Sequence, residues 1–229
     1  MNTIVSFFGT EGRATLDPRA PNLSMRDAIA YFVRRPSAIT LMVLLSAALT
    51  VRLWLGDFQL WDALLAVTLV VAHPLTEWLI HVEILHFRPQ RWFGRTVDLP
   101  VARDHRAHHA DPHEPRWWFI PMRSLARAFV ALVTLAWLLM PTVPLATTVV
   151  ATMLALGLVY EWTHYICHSS WRPRSNFYRT LWKLHRLHHF KNENYWMGVT
   201  GHAGDRLLGT MPDPRTVETS ATCRNLDER

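Results

Sequence analysis

Four long apolar stretches separate the charged parts of this chain, and they limit its fold more than any other feature. A helix that spans a bilayer needs about 20 apolar residues at about 1.5 Å each. Stretches of roughly this kind lie at 37–55, 60–80, 125–140 and 143–166. The third is shorter and ends at Pro141, so we expect it to pair with the fourth as a tight hairpin. The sequence therefore predicts an all-α integral membrane protein with four transmembrane helices.

The basic residues fall on one side of these stretches. Of the 24 Lys and Arg residues, only Arg52 lies inside a stretch, apart from Arg127 at the start of the third. The two short connections between stretches carry none. By the positive-inside rule, the basic face is predicted to be cytoplasmic. Anionic headgroups explain a net charge of +6 with this distribution more simply than nucleic acid does, so no nucleic-acid partner is expected.

Three segments are expected along the chain: an N-terminal cytoplasmic arm at 1–36, a membrane domain at 37–210 and a polar tail at 211–229. Asn22 or Ser24 is a suitable cap for a short helix that runs to residue 34 and lies on the bilayer. The chain becomes polar after Gly209, with prolines and scattered charges, so the tail is expected to fray.

Ten of the thirteen histidines form four clusters beside or just beyond the apolar stretches. The clusters are His81 and His86; His105, His108 and His109; His164 and His168; and His185, His188 and His189. Counted from residues 60 and 143, His81 and His164 lie at the same depth, so both should emerge at the same cytoplasmic boundary.

The spacing within the clusters suits ligands on helices. His164 and His168 are four residues apart and share one helical face, and each triplet has the i, i+3, i+4 relation. His81 and His86 are different, because five residues turn a helix by about 500° and leave the two roughly 140° apart. Either they serve different metals or the helix loosens before Pro89. A regular helix predicts the former.

The number of imidazoles indicates two metal ions. A single cluster could be an ordinary exposed helix face, but four clusters at one membrane face predict joint metal binding. Ten ligands are too many for one ion, and imidazole suits zinc, copper, iron and nickel alike. A metal transporter is disfavoured because its ligands would lie near mid-membrane, where only His73 is found. The predicted architecture is four transmembrane helices with a cytoplasmic histidine-rich helical cap that holds a dinuclear metal site.

The order of these motifs resembles the fatty acid hydroxylase/sterol desaturase superfamily, and especially its fatty acid 2-hydroxylase branch. The resemblance covers roughly residues 60–210. It rests on HVEILH, DHRAHHADPHEPRWWFIP, YEWTHYICH and LHRLHHFKNENYWMGVTGHAGDRLLGT, which follow one another in the family's order.

The resemblance implies that the ten clustered histidines bind two iron ions, with zinc able to replace iron in preparations. Dioxygen would be the co-substrate, and the reaction would be hydroxylation of a lipid C–H bond, on a fatty acyl chain and at its 2-position. The alternative within the superfamily is desaturation or hydroxylation of a sterol or carotenoid.

Several polar and aromatic residues lie near the histidines. Glu161 matches an acidic family position and is expected to orient a ligand imidazole, and His73 with Glu77 is expected to form a structural pair. Each of four acidic residues either supports a ligand or is merely solvated: Asp104, Asp111, Glu114 and Asp205. His113 and His202 lie outside the family positions. Four tryptophans are expected to anchor at the membrane boundary: Trp117, Trp118, Trp171 and Trp196.

The electron source is expected to be a separate protein. Some relatives carry a fused haem domain with a His-Pro-Gly-Gly signature, which this sequence lacks. A ferredoxin, or a b-type cytochrome with its reductase, would suit the positive cap if the donor is acidic. The compact chain fits a bacterial inner membrane with the metal site cytoplasmic; the endoplasmic reticulum is the alternative.

Overall fold

The fold is a helical bundle, seen in a computed structural model that describes residues 16–226; the first part of the predicted arm lies outside these residues. The helices are α1 Met25–Phe32, α2 Pro36–Leu55, α3 Leu60–Leu79, α4 Pro100–Ala110, α5 Met122–Leu139, α6 Val143–His168, α7 Asn176–Phe190 and α8 Ala203–Leu207. A π-helical segment, Ile80–Leu85, continues α3, and a 3₁₀ turn, Pro115–Trp118, precedes α5.

The four predicted spans are confirmed as long apolar helices. By length and composition, four candidate spans can cross a membrane, and they contain α2, α3, α5 and α6. The tight connection between α5 and α6 is also present, since α5 ends at Leu139 and α6 begins at Val143. Thr142 caps α6 by accepting a hydrogen bond from the Leu145 amide at 3.4 Å. Helix α6 packs against the other three, and its residues Ala146, Val150 and Leu154 form part of the core.

The end of α3 is not a regular α-helix. In the segment Ile80–Leu85 the backbone is π-helical, and the His86 amide donates to the His81 carbonyl at 3.0 Å. This bond spans five residues instead of four, so side chains five apart come to nearly the same face. The alternative in which the helix loosens before Pro89 is therefore the one observed.

The predicted N-terminal helix is present and packs on the bundle. Ser24 caps it by accepting a hydrogen bond from the Asp27 amide at 3.1 Å, and the helix ends at Phe32. Tyr31 and Phe32 are buried, and both rings stack on Tyr165 of α6, with centroids 5.6 and 5.9 Å away. The exposed residues of this helix are Met25, Arg26 and Ile29.

A hairpin that the sequence analysis did not predict lies between α3 and α4. Its strands, β1 Gln90–Trp92 and β2 Arg95–Val97, are antiparallel and exposed. Phe93 and Gly94 form the turn with φ of 47° and 76°. Two consecutive left-handed residues are what a two-residue turn between right-twisted strands needs.

The prediction that the tail frays is wrong for residues 220–226, the last part of the tail that the structure describes. Cys223 and Leu226 are buried, the Ser220 amide donates to the Lys191 carbonyl at 2.7 Å, and the Thr222 hydroxyl donates to Glu193 at 2.6 Å. Hydropathy does not predict that this segment is ordered, because side-chain and backbone hydrogen bonds hold much of it in place.

A buried ion pair ties three helices together at the end of the bundle away from the histidines. Arg52 of α2 lies 2.8 Å from the Asp62 carboxylate of α3. The Thr148 hydroxyl of α6 donates to the same carboxylate oxygen at 2.5 Å. Arg52 also donates to the Gly56 carbonyl. The one basic residue deep in a predicted span is therefore fully partnered, which explains how it is tolerated there.

Asp62→Ala is expected to lower the thermal unfolding midpoint strongly, because it leaves a buried guanidinium without its counter-ion. Breaking one partner of a buried pair typically costs about 3–5 kcal/mol. The measurement is thermal unfolding in detergent. The matched control is Asp57→Ala, since Asp57 is exposed and only its backbone carbonyl faces Arg52. Equal midpoints for the two variants would contradict a stabilising role for the pair.

Candidate metal centre

All ten clustered histidines come together at one end of the bundle. They form two groups of five, each with ligand atoms within 4.8 Å of one another, and every member is buried. Group A contains His81, His86, His105, His109 and His188, and group B contains His108, His164, His168, His185 and His189. The groups adjoin, since the ring centroids of His109 and His189 are 4.2 Å apart.

Each triplet on a helix is divided between the groups. Helix α4 gives His105 and His109 to group A and His108 to group B, while α7 gives His188 to group A and His185 with His189 to group B. The two helices thus contribute to both groups, which fixes the groups side by side.

The π-helical segment brings His81 and His86 into the same group. Their ring centroids lie 4.9 Å apart. On a regular helix the five-residue spacing would point them about 140° apart, and they would then serve different metals. Of the two alternatives that the sequence left open, this one is not observed. The change in helix type is the physical reason.

Backbone carbonyls fix the orientation of four imidazoles. The Nδ1 atoms of His81, His109, His164 and His188 lie 2.5 to 3.0 Å from the carbonyls of Met197, Cys223, Trp118 and Tyr195, respectively. A carbonyl only accepts, so each Nδ1 carries the proton and donates. In the neutral ring the other nitrogen, Nε2, then presents its lone pair.

His109 and His188 show most directly that group A fits a metal ion. Both Nδ1 atoms donate to carbonyls, and their Nε2 atoms lie 3.2 Å apart. Two neutral imidazoles in this arrangement aim lone pairs at each other, which is unfavourable unless a cation lies between them. Two nitrogens that bind one ion at about 2.1 Å and at about a right angle are separated by about 3 Å. The donor set and its spacing therefore suit a metal.

The ring nitrogens of group B are spaced as those of group A are, but fewer of its imidazoles are oriented by a backbone carbonyl. The Nε2 atom of His168 lies 3.0 Å from that of His108 and 2.8 Å from that of His185. His185 and His189 Nε2 are 3.1 Å apart. One Nε2 cannot serve two neighbours equally, because it offers either one proton or one lone pair. A shared cation resolves this conflict as it does in group A.

Burial keeps four of the histidines of α4 and α7 in the neutral form that binds metals. Burial away from water lowers the pKa of His105, His108, His185 and His189 well below the usual value, and positive charge on neighbouring imidazoles lowers it further. Their ring nitrogens therefore stay available as ligands near neutral pH.

Metal-free protein is expected to lose stability as the pH falls from about 7 to 5. An unfolded histidine takes up a proton near pH 6.5, whereas these four buried rings do so only at lower pH. The unfolded state then binds more protons in this window, so the free energy of unfolding decreases as the pH falls. Thermal unfolding of chelated protein at several pH values measures the effect, and a flat profile would contradict it. His113→Ala is the control, because His113 is exposed and outside both groups.

Two buried glutamates support the groups through the backbone. Glu77 of α3 accepts from the Val199 and Thr200 amides and from the Thr200 hydroxyl. Two residues before Val199, the Met197 carbonyl accepts from His81 of group A. The distance from Glu77 to His73 is 3.7 Å, so the expected structural pair is a looser contact than the bonds to this loop.

Glu161 of α6 has the equivalent position for group B. It accepts from the Ile120 amide at 3.1 and 3.2 Å. Two residues earlier, the Trp118 carbonyl accepts from His164 at 2.9 Å. We expected Glu161 itself to accept the proton of a ligand histidine, and in this respect the structure differs. A backbone carbonyl is the acceptor, and the carboxylate holds the segment that carries it.

Asp205 is the third carboxylate that holds this region. It accepts from the Met197 and Gly198 amides, both at 2.8 Å, and from the Thr210 hydroxyl at 2.6 Å. Burial would raise the pKa of Asp205, but these bonds and one from His202 lower it overall. A side chain on Gly198 would meet Gly201 and Asp205, which explains the glycine in the Gly-Val-Thr motif.

The other predicted polar residues make local contacts. Asp111 accepts from the His113 amide and Glu114 from the Arg116 amide, each two residues on. Asp104 lines a surface cavity between α4 and α5. His202 lies 3.3 Å from Asp205.

Two of the four tryptophans are not boundary anchors. Trp118 and Trp196 are completely buried, and their indole N–H groups donate to the Pro112 and Pro212 carbonyls. The carbonyl of Trp118 itself orients His164, and Trp196 lies between Tyr195 and Met197, whose carbonyls orient His188 and His81. Both tryptophans therefore pack beside the histidines. Trp117 and Trp171 are half-buried.

Sequence reasoning missed Tyr160 and the carbonyl acceptors. The Tyr160 ring stacks on His164 of group B, with centroids 5.7 Å apart and planes 9° apart. Its position four residues before His164 was the available signal. The carbonyl acceptors leave no signal in the sequence, because every residue has a backbone carbonyl whatever its side chain.

Fold and site together define a helical membrane protein in which ten buried imidazoles form two adjoining groups able to hold metal ions. More particularly, the chain belongs to the fatty acid hydroxylase family, whose model matches residues 66–210.

Two curated relatives are dihydroceramide fatty acyl 2-hydroxylases of Arabidopsis thaliana. FAH2 is 27% identical over 143 residues, which is 62% of this chain and 58% of the relative. FAH1 is 26% identical over 140 residues, 59% of this chain and 55% of the relative. The matches thus span little more than half of each relative.

A solved structure shares the fold. It is described as full-length scs7p with only the hydroxylase domain visible, and it matches with a TM-score of 0.67 at 24% identity. The match covers 80% of this chain and 68% of that one.

Proposed function

We propose that this protein hydroxylates a fatty acyl chain, at its 2-position, with an iron pair held by groups A and B and dioxygen as co-substrate. The observation that carries the proposal is the facing of His109 and His188, whose Nε2 lone pairs need a cation between them. The family and the 2-hydroxylase relatives support the choice of reaction.

Each ion would be held by the five imidazoles of one group. When bound, the iron pair would supply the oxidising power that an unactivated C–H bond requires. The chain's own part is to bury the ten rings away from water and to fix the tautomer of four of them through backbone carbonyls. The buried glutamates hold two of the segments that carry these carbonyls. Zinc fits the same donor set, so metal found after purification need not be the working metal.

The substrate is proposed to enter from the bilayer. Helices α3 and α5 expose valines and leucines along their lengths, and four of the ten histidines lie where α3 and α6 end. A lipid could therefore present its chain between the helices, with its head at the basic face. We place that face on the cytoplasmic side of a bacterial inner membrane, and we propose a separate acidic electron donor such as a ferredoxin or a b-type cytochrome with its reductase.

Comparative lipid mass spectrometry tests the proposal. Cells that express the protein with a reductase system are compared with cells that express His188→Ala at the same level. We expect acyl chains that gain one oxygen at the 2-position only with the wild-type protein. A changed sterol or carotenoid profile would instead favour the alternative activity within the superfamily, and unchanged lipids with metal-loaded protein would contradict the proposal.

A further inference from the structure

We infer that residues 220–226 form a C-terminal clamp that positions His109, so that metal retention by group A depends on the tail while retention by group B does not. This inference rests on the proposed two-ion centre. It concerns a segment that composition alone would assign to a disordered tail.

The clamp holds the end of α4 at two points. The Cys223 carbonyl accepts from His109 Nδ1 at 3.0 Å. The Arg224 guanidinium donates to the His109 carbonyl at 3.0 Å and to the Ala110 carbonyl at 2.8 Å. Carbonyls in the last turn of a helix lack partners within the helix, and a cation there is favourable. Both the ring and the backbone of His109 are thus fixed by two consecutive tail residues.

The clamp is itself tied to the chain just after α7. Thr222 donates to Glu193 at 2.6 Å, and the Ser220 amide donates to the Lys191 carbonyl at 2.7 Å. Cys223 and Leu226 are buried. Because α7 carries His188, the clamp joins two group A ligands whose Nε2 atoms face each other.

The support of the two groups is unequal. In the part of the chain that the structure describes, carbonyls of Tyr195, Met197 and Cys223, all after α7, accept from group A histidines. The corresponding acceptor for group B is Trp118, which precedes α5. Disturbing the tail should therefore weaken group A alone.

Metal binding and docking of the clamp should be linked in both directions. If the docked tail orients a ligand, a bound ion in turn favours the docked tail. The tail offers a cleavage site for this test at Arg224, and the exposed hairpin offers a control site at Arg95.

The first test is limited trypsin proteolysis of purified full-length protein with Zn²⁺ as the probe ion or with chelator. We expect Zn²⁺ to slow cleavage after Arg224 and to leave cleavage after Arg95 unchanged. Protection at both sites, or at neither, would overturn the inference.

The second test measures Zn²⁺ retention against a competing chelator in two backgrounds. His164→Ala damages group B and leaves group A, while His188→Ala does the reverse. Arg224→Leu is expected to weaken retention about 10- to 100-fold in the first background, as loss of an outer support does, and to have no effect in the second. Arg215→Leu is the matched control, because Arg215 is an exposed arginine of the same tail that pairs with Asp213 and lies outside the clamp.

The outcomes separate this inference from the proposed function. Equal effects of Arg224→Leu in both backgrounds, or none, would overturn the clamp while wild-type protein still binds two Zn²⁺. Wild-type protein that binds fewer than two ions would instead contradict the proposed centre itself.

Discussion

His109→Ala and His185→Ala should each reduce hydroxylation to background while the protein remains inserted in the membrane. The two variants remove one imidazole from group A and one from group B, respectively. Loss of an outer-shell support typically costs about 10- to 100-fold in affinity or activity, so loss of a ligand should exceed this. Each variant should also retain fewer metal ions than the wild type.

The measurement is hydroxylated acyl product per purified protein, with metal content determined on the same samples. His113→Ala is the control: this histidine is exposed and its ring lies against Phe190, 5.3 Å between centroids. The control should keep wild-type activity. Near-normal turnover in either ligand variant would refute the assignment of its group.

Glu77→Ala and Glu161→Ala are expected to weaken metal binding about 10- to 100-fold each, and in different groups. Each glutamate holds the segment whose carbonyl orients one ligand, His81 in group A or His164 in group B. Without the carboxylate, the segment can shift and leave the imidazole free to rotate. Both residues act through the backbone, so they are positioning residues.

Metal retention against a chelator distinguishes this role from a general loss of stability. Glu161→Gln should recover part of the loss, since an amide oxygen can still accept from the Ile120 amide. Glu83→Ala is the control, because Glu83 is exposed on the same π-helical segment as His81. Unchanged metal content and rate in Glu161→Ala would show that its carboxylate is incidental.

The sequence predicts the spans and the ligand set because both follow from residue type. A bilayer demands about 20 apolar residues per helix, and His81 and His164 had to emerge at the same depth. The division of each triplet between groups A and B was not predictable, because it depends on how α4 and α7 face each other. The spacing of His81 and His86 admitted two helix types, and only packing selects the π-helix.

The supports of the ligands were hidden for a different reason. The histidines donate to the backbone carbonyls of Trp118, Tyr195, Met197 and Cys223. A side-chain pattern does not show which backbone carbonyls accept these bonds. The tail was misjudged in the same way, since Arg224 reaches backbone carbonyls. The sequence indicates that Glu161 supports a ligand histidine, but the predicted contact with the imidazole is wrong. Sequence spacing places Glu161 near His164 without showing which group its carboxylate binds.

Anomalous diffraction from crystals of iron-reconstituted protein tests the central claim most directly. Data collected on either side of the iron absorption edge should give two peaks, one among the rings of group A and one among those of group B. A single peak, or peaks outside the ten histidines, would contradict the account.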